Sequence, residues 1–243
     1  MPLPDHAFRH HPELKSRIED PETSFFRDFD LEEVDKVMLA NGFDLDYRHP
    51  DAVREALRRD MLAERPAGDL WVFAYGSLMW NPALIFEEVR RAHTPDYQRS
   101  FCIWDDGGRG SKETPGLMGA LDVGTGCTGF AFRIAEDRID DETYRLCKRE
   151  LIMDAYLARF IPLETAQGRI TALTFVANHD CDVIVSDLSL DEQARMIAQA
   201  SGFLGTSREY LESMAGHLSE FGISDPYVED LLARMRRVPR AAE

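Results

Sequence analysis

The sequence predicts an α+β fold: a mixed, closed sheet with helices packed against it and a helical extension at the N-terminus. Two observations lead there. Strand-like runs, rich in β-branched and aromatic residues, cluster at 70–134 and again at 156–177. Helical periodicity brackets them, at 31–64 on one side and from 189 onward on the other.

The elements follow in order. Residues 1–30 are rich in His, Pro, Phe and charge and read as an irregular arm with one helical turn at most. Residues 31–40 form a helix with Leu31, Val34 and Met38 on one face and Asn41-Gly42 as its stop. Residues 50–64 form a second, with Val53, Leu57 and Met61 on one face. Pro66-Ala67-Gly68 is a turn, and a boundary falls there: 1–65 as the helical extension, 66–243 as the main domain. Strands are expected at 70–75, 88–93, 98–104, 117–123 and 128–134, then a helix at 140–152. Residues 156–163 and 170–177 read as a hairpin around Gln167-Gly168. Ser189 to Glu192 is a capping box that opens a helix to residue 200, and residues 207–220 form another, stopped at Gly222. Asp225-Pro226 supplies a cap and a first-turn proline for the last helix.

At 243 residues the chain can bury one substantial core. Its 28 basic against 44 acidic residues leave a net charge of −16. That balance argues against nucleic acid or an anionic membrane as partner, since both need a basic surface. It leaves room for a small anionic substrate at a locally basic site. No signal pattern opens the chain, and no apolar run is long enough to span a bilayer. Cys102, Cys127, Cys147 and Cys181 lack metal or redox spacing and read as buried free thiols, so a cytoplasmic protein is expected.

Trp71 to Trp80, WVFAYGSLMW, carries the most information. A buried strand runs into Gly76-Ser77, where an open turn with exposed amides and an adjacent hydroxyl can hold a carboxylate. Spacing alone is also compatible with a plain strand-to-loop junction. Glu150 stands at the end of a helical pattern, before a strand that opens at Tyr156. A desolvated Glu there suits a general base; a solvated carboxylate paired with Lys148 or Arg149 fits the same pattern. Gly124 to Gly129 matches G-x-G-x-x-G, but a strand follows where a dinucleotide site needs a helix, so it reads as a hairpin turn. His6, His10 and His11 lack carboxylate or thiolate companions and read as part of a tail, not a metal site. The polar loop 105–116 lacks a phosphate-loop ending but has the length of a functional lid.

Together, Tyr75-Gly76-Ser77-Leu78, the Arg149-Glu150 pair ahead of an aromatic-led strand, and Gly205-Thr206-Ser207-Arg208-Glu209-Tyr210-Leu211 resemble the ChaC-type γ-glutamylcyclotransferases, the branch associated with glutathione. The resemblance runs from about residue 70 to about residue 238. It implies a barrel with a cavity at one end. It also implies that the α-amine of a γ-glutamyl group attacks its own γ-carbonyl, giving 5-oxoproline and, from glutathione, Cys-Gly. Glu150 then matches the catalytic acid/base. Tyr75, Gly76, Ser77 and Leu78 match the turn that grips the γ-glutamyl group, and Tyr210 and Tyr156 match residues lining the site. No cofactor or metal is implied, and the partner is a small molecule bound by a monomer. Two departures from the family pattern stand out: Arg109-Gly110-Ser111-Lys112 replaces an Arg-Gly-Thr-Pro-like core, which bears on the contacts of that loop, and Asp154-Ala155 stands where a glycine is usual, which bears on substrate choice. The rival readings are a cyclotransferase for other γ-glutamyl amines or amino acids, and a non-catalytic carboxylate-binding barrel. The helices before residue 66 are expected to pack on the barrel away from the cavity, with residues 1–20 dispensable.

Overall fold

The computed structural model describes residues 3–239; residues 1–2 of the expected arm and 240–243 of the expected main domain lie outside that range. The chain forms two compact units, one of residues 1–97 with 124–176, the other of residues 98–123 with 177–243.

The first unit is built on a closed five-stranded barrel. Its strands are β1 (Leu70–Ala74), β2 (Glu88–Thr94), β5 (Cys127–Ile134), β6 (Tyr156–Thr165) and β7 (Gly168–Ala177). They run in the order β1-β5-β2-β6-β7, and β7 returns to β1. β5 lies antiparallel between β1 and β2, with Ala74 opposite Phe130 and Thr94 opposite Cys127. β7 closes the barrel by a parallel pairing of Leu173 with Val72. Closure leaves no free edge and explains why β1 is almost continuously apolar: Val72, Phe73 and Ala74 are fully buried. Phe73, Phe86, Phe130, Phe132 and Phe175 are the largest buried side chains of this unit.

Two glycines of β5 and the turn before it are dictated by geometry. Gly126 has φ +139°, which a side chain rarely adopts. A Cβ on Gly129 would overlap the carbonyl oxygen of Ala74. The chain at 124–129 is a turn into a strand, as the sequence predicts, but not a hairpin, because β5 pairs with β1 and β2.

Helix α1 (Leu31–Ala40) starts at an Asp30 cap and buries Leu31 and Met38. Helix α2 (Asp51–Ala63) departs from its predicted face. Val53 and Leu57 are exposed, while Arg54, Arg58 and Met61 are buried. The reason is electrostatic. Helix α3 (Ile139–Glu150) offers the Asp140 carboxylate and the Thr143 hydroxyl at 2.8 and 3.0 Å from Arg58, and Glu55 accepts from the same guanidinium. A fully satisfied arginine can occupy a helix face that hydropathy would assign to solvent.

The first thirty residues differ most from expectation. They form two short 3-10 helices, Asp5–Phe8 and Pro12–Ser16, and bury Leu3, Ala7, Phe8, Leu14 and Ile18. Phe8 packs edge-on against Phe86 at 5.6 Å. His6 lies 2.8 Å from Glu87 and His10 3.2 Å from Glu88 on the barrel wall. Residues 3–18 therefore contribute side chains to the core of this unit, where an irregular polar arm is expected. Their apolar residues follow no helical period because each short helix contributes only one or two anchors.

In the second unit β3 (Tyr97–Asp105) pairs with β4 (Gly116–Val123). Helices α4 (Leu190–Gln199), α5 (Ser207–Glu220) and α6 (Pro226–Arg237) pack on one another, and α4 and α5 also lie on β4. Both α4 and α5 begin in capping boxes, at Ser189 with Glu192 and at Thr206 with Glu209. The two-residue strands β8 (Ser201–Gly202) and β9 (Gly205–Thr206) form a small ribbon just ahead of α5 that no periodicity announces.

Candidate functional site

The site in the first unit forms where β1 ends and α3 ends. β1 passes through Tyr75 into a 3-10 turn over Ser77–Met79. Gly76 makes the exit at φ −122°, so the turn is not left-handed. The Gly76 carbonyl accepts from Met79 N–H at 2.8 Å, and the Ser77 carbonyl from Asn81 N–H at 2.9 Å. Leu78 is buried, and Ser77 is half-buried. The Tyr75 phenol donates to the Phe175 carbonyl at 2.9 Å, in the interior. It therefore fastens the end of β1 to β7, and Tyr75 serves the turn by holding its backbone in place.

Glu150 is the last residue of α3, two residues short of the predicted end. Its side chain is only 14% exposed. Burial pushes its pKa up, and the neighbouring Arg149 opposes that shift without cancelling it. A carboxyl raised in this way can hold and release a proton nearer to neutral pH than an exposed one.

Arg149 joins the two elements. Its Nη2 donates to Ser77 Oγ at 2.8 Å, its Nη1 donates to the Asn81 carbonyl at 2.7 Å, and its Nε lies 3.1 Å from Glu150 Oε1. One planar guanidinium thus spans the turn after β1 and the carboxylate of α3, a geometry that Lys could not reproduce. The sequence offers Arg149 as a motif member and as one candidate ion-pair partner of Glu150, a pairing the structure contains with the carboxylate buried, but assigns it no part in holding the turn. The structure gives it the central one, and also places a cation at the turn in a chain of net charge −16.

The other expected residues are less closely tied to this center. Tyr156 opens β6 six positions after Glu150 and is half-buried. Asp154 is exposed and lies 3.0 Å from His49 Nε2. Tyr210 belongs to the second unit, on α5. Its ring packs against Phe101 at 5.7 Å, and the Arg109 guanidinium sits 5.4 Å from its centroid. Loop 105–116 is tied down within that unit. Asp105 accepts from the N–H groups of Gly107, Gly108 and Arg109, and the Gly108 carbonyl accepts from Leu204 N–H.

The cysteines take no part. Burial pushes Cys147 up to about 12 and Cys102 up to about 11, so neither is a thiolate at neutral pH. Cys127 is also buried, while Cys181 is only partly so, against the expectation of four core thiols.

Comparison with known proteins adds an independent observation. The family model described as ChaC-like protein matches residues 70–238. The glutathione-specific γ-glutamylcyclotransferase of Escherichia coli is 38% identical over 179 residues, covering 73% of this chain and 78% of that protein. The glutathione-specific γ-glutamylcyclotransferase 1 of Danio rerio is 31% identical over 187 residues, covering 71% and 94% respectively. In fold, a crystal structure described as the yeast γ-glutamyl cyclotransferase specific to glutathione superposes with a TM-score of 0.63 at 18% identity, over 70% of this chain and 96% of that one.

Proposed function

The chain belongs to the ChaC-like family, and from that premise we propose that it is a γ-glutamylcyclotransferase that converts glutathione to 5-oxoproline and Cys-Gly. The observation that carries the proposal is the Arg149 bridge between the Ser77 hydroxyl and a buried Glu150 of raised pKa.

In the reaction the α-amine of the γ-glutamyl group attacks the γ-carbonyl of the same residue. The ring C–N bond forms, the tetrahedral center collapses, and the bond to the cysteinyl nitrogen breaks. Nucleophile and electrophile share one short chain, so much of the orientational entropy is already spent in the substrate. Glu150 takes one proton from the α-ammonium so that the amine can attack, and returns it to the departing nitrogen as the C–N bond breaks. The second proton, which the ring nitrogen sheds in becoming the lactam N–H, passes to the released amine, which leaves as an ammonium. One carboxyl suffices because the two steps need the same proton in opposite directions. The turn over residues 75–78 grips the γ-glutamyl carboxylate through its amides and the Ser77 hydroxyl, and Arg149 supplies the positive charge there. Tyr156, six positions after Glu150, lines the site within the same unit. This chemistry calls for no cofactor. We place the enzyme in the cytoplasm as a monomer, with a small γ-glutamyl compound as its partner. Among the described residues, no helix is long and apolar enough to cross a membrane.

The direct test is a panel of glutathione, other γ-glutamyl amines and γ-glutamyl amino acids, assayed for 5-oxoproline. Release from glutathione above all others is the expected result. Preference for another member reassigns the substrate, and release from none leaves a binding barrel.

Ser77→Ala separates grip from chemistry. The hydroxyl accepts from Arg149 and contacts the ground-state substrate, so its loss removes a charge-assisted hydrogen bond worth about 1.5–3 kcal/mol. The expected result is a KM raised by about tenfold or more, with kcat changed less. A collapse of kcat at constant KM assigns the hydroxyl to the chemical step.

A further inference from the structure

The segment before residue 31 lies outside the family match, which begins at residue 70, yet it touches the site. The Phe26 ring faces the Arg149 guanidinium, with Cζ 3.9 Å from the ring centroid. Phe26 is itself held in an aromatic cluster with Phe25 and Phe29, at centroid distances of 5.4 and 6.1 Å. Phe29 is buried and takes Lys148 Nζ at 5.5 Å, so consecutive cations at the end of α3 rest on this cluster. Asn81 presents the carbonyl that the Arg149 Nη1 grips. The Asn81 side chain is fixed by the same segment: the Ser24 hydroxyl donates to its Oδ1 at 2.6 Å, and its Nδ2 donates to Glu19 at 2.7 Å. Glu19 N–H also donates to the Trp80 carbonyl at 2.8 Å.

Arg149 therefore has its plane set by Phe26, one hydrogen-bond partner set through Asn81 by Ser24 and Glu19, and its Nη2 and Nε directed at Ser77 and Glu150. A long arginine side chain has several rotatable bonds, and ordering it costs conformational entropy. An aromatic face and an immobilised carbonyl remove that cost before substrate arrives. Both supports come from residues 19–29.

We propose that residues 19–29 are a positioning strap for the site, in which Phe26 and Ser24 act through Arg149 and Asn81 to fix the guanidinium between the Ser77 hydroxyl and the Glu150 carboxylate. Phe26 and Ser24 are positioning residues and do not touch the reacting atoms. The catalytic consequences rest on the reading given above for Ser77 and Glu150; the structural claim about Arg149 does not.

The test uses Phe26→Ala, Ser24→Ala and the conservative Phe26→Tyr in the full-length protein. Two readouts are taken: steady-state kinetics on glutathione across pH, and the titration of the Glu150 carboxyl followed by carbon-13 NMR. Among the described residues, the charged group that shifts Glu150 is Arg149 beside it, whereas Cys147 one turn back is itself raised in part by Glu150. Only the first is held by the strap. In Phe26→Ala the guanidinium is released, its favourable field on the carboxylate weakens, and the Glu150 titration moves to higher pH. The acid limb of kcat/KM moves with it, and kcat/KM at its plateau falls by about ten- to a hundredfold, the scale of a misplaced catalytic group. Ser24→Ala gives a smaller change in the same direction, and Phe26→Tyr, which keeps the ring face, restores wild-type behaviour. An unchanged Glu150 titration in Phe26→Ala overturns the proposal, as does a loss of activity that merely tracks loss of folded protein with no move of the acid limb. Because the NMR titration needs no turnover, an inactive wild type defeats the assigned reaction without touching the strap.

Discussion

Glu150→Gln is expected to abolish turnover while leaving the protein folded. The amide is nearly isosteric with the carboxyl but cannot accept the ammonium proton. General acid–base catalysis by one positioned group contributes about 10²- to 10⁴-fold, and kcat should fall by that factor. KM should move little, because substrate grip is assigned to the turn at 75–78. If more than about a tenth of wild-type kcat survives, Glu150 is not the proton carrier.

The same variant makes a pH-dependent statement about stability. Burial raises the pKa of Glu150 in the folded protein above its value in the unfolded chain. The carboxyl is neutral in both states below the ordinary glutamate pKa of about 4.3, so there it has no desolvation cost. As pH rises through the folded pKa the buried group ionises, and this contribution to stability is lost. Glu150→Gln removes that dependence. Melting temperatures of variant and wild type should nearly coincide in mild acid, and the variant should melt higher at neutral pH and above. The wild-type acid limb of kcat/KM should likewise lie above the range of an exposed glutamate, since the proposed reaction begins with Glu150 ionised. A variant that melts lower at every pH would mean that the Glu150 carboxylate is needed to satisfy Arg149.

The largest effect on stability is expected at Glu142. Its side chain, on α3, is 2% exposed. It accepts both guanidinium donors of Arg27, the Nη2–Oε1 contact being 2.8 Å, and also the Ile85 N–H at 3.0 Å. Arg27 in turn donates to the Ala83 carbonyl at 3.0 Å. This network joins the N-terminal segment, the stretch before β2 and the helix that carries Glu150. Removing one partner of a buried ion pair leaves an uncompensated charge and costs about 3–5 kcal/mol. Glu142→Ala should therefore destabilise the protein by that amount, read as a lower midpoint in chemical denaturation, and should reduce activity through the placement of α3. Arg27→Met with Glu142→Met, which removes both charges and keeps an apolar volume, should recover most of the loss. Failure of the double variant to recover would show that the Ile85 N–H bond, and not the charge pair, is what Glu142 supplies.

Much of this fold and site was legible from residue order alone. The five barrel strands and α3 follow period and composition directly. Local rules govern them: alternating or continuous apolar runs bounded by Gly, Pro and polar turns, and caps such as Ser189 with Glu192 and Thr206 with Glu209 whose hydrogen bonds span three residues. The YGSL turn and the Arg149-Glu150 pair were likewise visible as motifs, because the chemistry of each lies within a few consecutive residues.

What the sequence could not specify are partnerships across long chain distances. Hydropathy placed Val53 and Leu57 inward on α2; Arg54 and Arg58 are buried there instead, because Asp140 and Thr143 of α3 wait to receive Arg58. Residues 3–18 lacked periodicity and read as a tail, yet Phe8 and Leu14 are core, since isolated anchors need no period when the barrel wall supplies their surroundings. Gly124 to Gly129 read as a hairpin because a turn signal does not reveal which strands it joins. The same limit hid Arg149, whose importance comes from Ser77, Asn81 and Phe26, 72, 68 and 123 positions away. The sequence by itself determined the five barrel strands, the longer helices and the two candidate motifs, since these depend on local backbone preference and short-range side-chain chemistry. Only the tertiary structure decided which cation holds the motifs together and which aromatic ring holds the cation, because a guanidinium finds its partners through space and not along the chain.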